Sequence, residues 1–149
     1  TYKYNFKEWN KLSDYLESKE EDAVRIGHYL YKYRETVISK MLKTKHYLTI
    51  GGYDIQCINS PYFQSYMLSK EYSNKPFMAS YYFDGDRYIF SLRSDKSSDI
   101  SLSDISKIYG GGGHKNAAGF SVKKIWHLKY LYYKHIAKKI MKRILRALK

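Results

Sequence analysis

Residues 110–120 read Gly110-Gly111-Gly112-Gly113-His114-Lys115-Asn116-Ala117-Ala118-Gly119-Phe120, and the chain's chemistry concentrates there. Four consecutive glycines free the backbone for positive φ and let several N–H groups converge on one point, which Cβ atoms would block. Such a nest takes an anion. His114 adds, beside those amides, a donor that can carry charge near neutral pH. Asn116 contributes a side-chain amide that could equally cap a following helix. Ala117, Ala118 and Gly119 are small enough to begin a tightly packed helix whose positive end would face the same anion. A flexible linker would not be followed by His-x-x-Ala-Ala-Gly and an apolar strand, so the expected ligand is a phosphate.

A second run, Ser91-Leu92-Arg93-Ser94, closes a strand-like segment. An arginine there can hold a phosphate in a two-pronged way that lysine cannot imitate; taken alone, Arg93 would be a surface strand arginine. The two runs together resemble the substrate-binding domain of the DHH phosphoesterases, the DHH-associated domain of the first type, which includes RecJ-like and oligoribonuclease-like enzymes. The resemblance is densest from Tyr53 to Val122. It implies that Arg93, Ser94, the amides of Gly111, Gly112 and Gly113, His114 and Asn116 bind the substrate phosphate, with His114 as the catalytic group donating to the phosphoryl oxygens. It also implies that Asn59, Ser60 and Ser65 could line a nucleotide channel, although Tyr66 stands where relatives often carry an acid. A related glycine and histidine motif occurs in the tail domain of alanyl-tRNA synthetases, so the motif alone does not fix the activity.

The DHH enzymes take their name from an Asp-His-His motif that, with further aspartates, holds a pair of divalent metals, usually manganese. The five histidines here, His28, His46, His114, His127 and His135, are scattered. Asp84 and Asp86 flank Gly85 between strand-like runs, which reads as a hairpin turn rather than a metal site. No metal ligand or cofactor is therefore expected in this chain. The chain is expected to be the C-terminal part of a longer enzyme whose missing N-terminal DHH domain carries the metals. By itself it would bind and not cut.

The elements that must position these residues can be read in order. Phe6, Trp9, Leu12 and Leu16 recur at helical spacing, and Ser18-Lys19-Glu20-Glu21 reads as a capping box for a second helix striped by Ala23, Ile26, Leu30, Tyr33, Val37 and Met41. His46–Ile50 and Tyr53–Ile58 are predicted strands joined at Gly51-Gly52. Ser60 and Pro61 predict a helix to about Tyr72. Phe77–Phe83 and Arg87–Leu92 form a strand pair around Asp84-Gly85, Ser101-x-x-Asp104 caps a short helix, and Phe120–Val122 returns as a strand. The fold class is α/β, a mixed sheet of about five strands with flanking helices. Residues 1–44 are read as a helical connector, 45–124 as the substrate-binding domain and 125–149 as a basic amphipathic helix. In that helix Ile125, Leu128, Tyr132, Ile136, Ile140 and Ile144 line one face, with Lys134, Lys138, Lys142 and Lys149 elsewhere.

The net charge of +13 is very uneven: through Asp104 there are 15 basic and 14 acidic residues, whereas Ile105–Lys149 holds 12 basic residues and no acid. The phosphate motif and the positive excess share one end of the chain, which favours a polyanionic partner. Lys134, Lys138 and Lys142 are candidate nucleic-acid contacts; the same helix could instead pack with a solvated basic face or lie on a membrane surface. The lone Cys57 suits a reducing compartment, and with no signal peptide or spanning segment the expected location is cytoplasmic. Three functions stand open: the substrate-binding part of a phosphodiesterase acting on oligonucleotides or single-stranded nucleic acid, a non-catalytic RNA- or DNA-binding module, and a cyclic-dinucleotide phosphodiesterase domain.

Overall fold

The computed structural model describes residues 5–62, 68 and 76–147. The chain divides into two compact units, residues 1–40 and 41–149.

The first unit is helical. Asn5 caps α1 (Phe6–Ser18), its Oδ1 accepting from the Glu8 amide at 2.9 Å. The α1 helix takes in Ser18, the residue a capping box would need at the N-cap of the next helix: the Ser18 hydroxyl donates back to the Tyr15 carbonyl at 3.1 Å instead of capping α2 (Glu20–Leu42). The stripe on α2 forms, but Ile26, Leu30 and Tyr33 stay exposed.

In the second unit six strands make one mixed sheet: β1 (His46–Ile50), β2 (Tyr53–Asn59), β3 (Met78–Phe83), β4 (Tyr88–Arg93), β5 (Gly112–His114) and β6 (Ala117–Val122), in the order β1-β2-β3-β4-β6-β5. Only the β2–β3 pair is parallel. The predicted helix after Ser60 falls mostly outside the described residues, as do Ser65 and Tyr66. The β1–β2 hairpin turns at Gly51-Gly52, and the Gly51 amide donates to the Tyr109 hydroxyl at 2.7 Å, tying that turn to the end of α3 (Leu102–Ile108). At the other hairpin Asp84 Oδ1 accepts from the amides of Asp86 and Arg87 at 2.9 and 2.8 Å, which holds its carboxyl below the usual carboxylate range.

One face of the sheet carries the larger buried cluster, and the other is buried at Ile58, Met78 and Ser80 of β2 and β3. Ile55, Cys57, Ala79, Tyr81, Phe90, Leu92, Ala118, Phe120 and Val122 point to the larger cluster, and Leu102 and Ile105 of α3, Tyr109 at its C-cap and Leu128 of α4 (His127–Ala147) cover it. Tyr81, Phe90, Phe120 and Tyr109 stack in a row with ring centroids 5.0, 4.9 and 4.3 Å apart. Each buried ring contributes apolar burial on the order of 2 kcal/mol. Tyr81 is therefore a packing residue. Ser101 caps α3 as its sequence implies, accepting from the Asp104 amide at 3.3 Å.

The stripe of α4 does not stay on the core. Its members from Leu128 to Ile144 recur every four residues, and a helix of 3.6 residues per turn carries such a row steadily around its axis. Leu128 is buried and Tyr132 and Ile136 half-buried, whereas Ile140 and Ile144 are exposed.

Candidate functional site

The glycine run does not form a nest ahead of a helix. Residues 112–114 extend as the edge strand β5, and Ala117-Ala118-Gly119, expected to open a helix, are the first half of β6. The reason lies in the alternation after the loop: Ala118, Phe120 and Val122 are buried in the core, while Ala117, Gly119 and Ser121 face the other side. Such a period of two is a strand's, not a helix's.

The glycines are needed because β5 runs hard against β6. A Cβ at Gly111 would collide with the Gly119 carbonyl oxygen and with Cα and Cβ of Phe120. At Gly113, where φ is +141°, it would sit 2.5 Å from the Ala118 Cα. At Gly110 and Gly112 an added Cβ would meet nothing within 4 Å. The amides are also divided. Gly111 N–H donates to the Ser106 carbonyl at 3.0 Å and finishes α3, so it does not join an anion cradle. An extended strand sends successive N–H groups to opposite sides, so those of Gly112 and Gly113 do not converge on one point.

What the strands do bring together is Arg93 and His114. Arg93 pairs with Ala117 across β4–β6, and Ala117 pairs with His114 across β6–β5. Residues directly opposite in an antiparallel sheet share a face, so both side chains rise from the face away from the core, with Ala117 as the floor between them. At about 4.8 Å per strand, their Cα atoms lie on the order of 10 Å apart, a separation that two long side chains can span from either side. His114 is exposed. Arg93 is half-buried and donates from Nη1 to the Leu92 carbonyl at 2.7 Å.

Asn116 locks the two motifs in register. Its Nδ2 donates to the Ser94 hydroxyl at 3.0 Å and to the Asp95 carbonyl at 2.6 Å, and its own carbonyl accepts from the Ser94 amide at 3.1 Å. No helix follows for it to cap. Ser94, buried, is held by the same clamp. Asp95 then turns the chain, accepting from the Ser97 hydroxyl and amide, bonds that lower its carboxyl.

Sequence reasoning missed the floor. Ala117, Gly119 and Ser121 make a strip of small side chains along the exposed side of β6, and Arg87 closes its far end, donating to Ser121 Oγ at 2.8 Å and to the Ser121 carbonyl at 3.1 Å. The alternation of small with apolar residues in Ala117–Val122 was the available signal. Asn59 and Ser60 lie at the level of Tyr81, three residues along β3 from Met78, the partner of Arg93. The Ser60 hydroxyl is turned to the Tyr62 backbone.

The basic helix is not part of this face. Leu128 anchors α4 in the core on the opposite side of the sheet, and α4 packs on β1, the edge farthest from β5. Neighbours at one end of the sequence, the phosphate motif and the lysines of α4 are separated in space. Among the described residues no three His, Cys, Asp or Glu side chains gather to hold a metal ion, so the divalent metals expected of a DHH enzyme find no fit in them.

The DHHA1 domain family matches residues 65–147, more than half the chain, and the chain belongs to that family. Among solved structures it is similar to the pGpG-specific phosphodiesterase PggH from Vibrio cholerae, with a TM-score of 0.58 and 13% identity, over 98% of this chain and 53% of that one. An uncharacterized protein from Helicobacter pylori G27 aligns with a TM-score of 0.36 and 17% identity over 71% of this chain and 29% of that one. No curated protein matches. The chain thus spans about half the length of the phosphodiesterase whose fold it shares.

Proposed function

We propose that this chain is the substrate-gripping part of a DHH-family phosphodiesterase that hydrolyses short oligonucleotides. The observation that carries this reading is the row Arg93–Ala117–His114: two phosphate donors fixed on β4 and β5, the strands either side of β6, over a floor with only the Ala117 methyl beneath a ligand. Arg93 supplies a planar fork for two phosphoryl oxygens, and the imidazole of His114 donates to a third or to the bridging oxygen as charge grows there. Asn116 touches no ligand in this scheme; it keeps the strand end of Arg93 and the loop of His114 in one geometry. The metal chemistry belongs, in this proposal, to a DHH domain outside these residues, which would supply the activated water.

The strip running from Ala117 to Ser121 favours a linear oligonucleotide over a cyclic dinucleotide. It continues past the Arg93–His114 pair for several residues and ends at a second arginine, Arg87, along a line that a short strand would follow. The PggH likeness suggests that a linear dinucleotide is within the substrate range.

The test is calorimetric titration of the full chain with a 5′-phosphorylated single-stranded oligonucleotide. Arg93→Ala and His114→Ala should each weaken binding by about tenfold or more, the loss of a charge-assisted hydrogen bond. Unchanged affinity in both variants would reject the site.

A further inference from the structure

We propose that the distal half of α4 is an interfacial helix that lies on an anionic lipid surface, on a part of the molecule separate from the Arg93–His114 face.

From Tyr133 onward α4 has two opposed faces. Tyr133, Ile140, Met141 and Ile144 follow one another at i, i+7, i+8 and i+11, with Leu145 beside them. All five are 48 to 66% exposed. His135, Lys138, Lys139, Lys142 and Arg146 follow at i, i+3, i+4, i+7 and i+11 on the other side, and the first four line one shallow groove. Lys134 sits at the border, its ammonium 5.9 Å from the Tyr130 ring centroid. The helix carries no acidic residue at all.

Each face demands something of the partner. A row of exposed aliphatic side chains calls for an apolar medium, and seven basic residues without a counter-charge on the helix call for a surface of negative charge. Nucleic acid would satisfy only the second demand and leave Ile140, Met141, Ile144 and Leu145 in water. A second copy of the helix would satisfy only the first, while setting seven positive charges against seven. An anionic bilayer satisfies both: the aliphatic row enters the boundary of the acyl chains, and lysines at the border reach the headgroups while the rest feel the surface potential. Among the described residues no helix is long and apolar enough to cross a membrane, so the contact is along the surface. With its anchor in the core at Leu128, the helix leaves the opposite sheet face clear.

The experiment is sedimentation of the full 149-residue chain with vesicles of phosphatidylcholine alone and of equal parts phosphatidylcholine and phosphatidylglycerol. Binding to the anionic vesicles should exceed binding to the neutral ones by at least about tenfold and weaken with added salt. Each of Lys134→Gln, Lys138→Gln and Lys142→Gln should lower it about fivefold. Ile140→Glu combined with Ile144→Glu should abolish it; Ile140→Ser with Ile144→Ser, which puts no acid on the helix, should weaken it by about tenfold. Far-UV circular dichroism confirms the fold of each variant. Absence of sedimentation with anionic vesicles would overturn the proposal, as would equal binding to neutral ones. So would a single-stranded RNA probe held by the lysines regardless of Ile140 and Ile144 without vesicle binding, or a dimer dissolved by the isoleucine changes without vesicle binding.

Discussion

Replacing Gly111 by alanine should destabilise the second unit far more than the same change one residue later. At Gly111 the new methyl would meet the Gly119 carbonyl oxygen and the Phe120 Cα, backbone atoms of a strand that is itself paired to β4, so neither can yield without moving β6. Overpacking against side chains costs about 1–3 kcal/mol, and against backbone the upper end, about 3 kcal/mol, is the better figure. In a unit of this size that lowers Tm by about 10 °C. At Gly112 nothing stands within 4 Å of the added Cβ, and the loss of chain entropy in the unfolded state makes Gly112→Ala neutral or stabilising by up to about 1 kcal/mol. Thermal denaturation followed by circular dichroism on the two variants measures the contrast. If the glycines existed only to present amides to an anion, both variants would melt with the wild type and differ only in ligand binding. A Gly111→Ala protein melting within about 2 °C of wild type would refute the packing argument.

Asn116→Ala removes two donated hydrogen bonds and should cost about 1–2 kcal/mol while weakening oligonucleotide binding several-fold, because Arg93 and His114 lose their common register; a stability loss with unaltered affinity would make the clamp purely structural. Burial pushes the Cys57 thiol from 9.0 up to about 12. In the folded chain it should react with a thiol reagent at pH 8 about a thousandfold more slowly than in urea, and fast labelling of folded protein would contradict the packing around β2. Because the unfolded thiol ionises first, the corresponding stability is fully present below pH 9 and is lost as pH rises toward 12. Arg87→Ala should weaken a longer oligonucleotide several-fold and leave a dinucleotide unaffected; equal losses for both would mean that Arg87 acts through Ser121 on β6 rather than on substrate.

Much of the fold is legible in the sequence because its signals are local. Gly51-Gly52 and Asp84-Gly85 turn hairpins, and Ser101 caps its helix, through bonds within a few residues. In the sequence the glycine run reads as a nest because glycine has no side chain to show a period of two. Its strand character is written instead in its partner, where Ala118, Phe120 and Val122 alternate with Ala117, Gly119 and Ser121. Arg93 and His114 were picked out by type, but their juxtaposition depends on the β4–β6–β5 register, a contact between segments about twenty residues apart. The role of Asn116 was hidden for the same reason: its partners, Ser94 and Asp95, belong to the other motif. The nearness in sequence of the basic helix to the glycine run suggested one shared surface, and the sheet places them on opposite sides.

The most direct test of the Arg93–His114 row is a nitrogen-15 NMR titration of the full chain with a 5′-phosphorylated trinucleotide. The largest shifts should fall on Arg93, Gly112, His114 and Gly119, and be lost in Arg93→Ala; shifts confined to α4, or none on β5 and β6, would contradict the assignment of this face as the phosphate site.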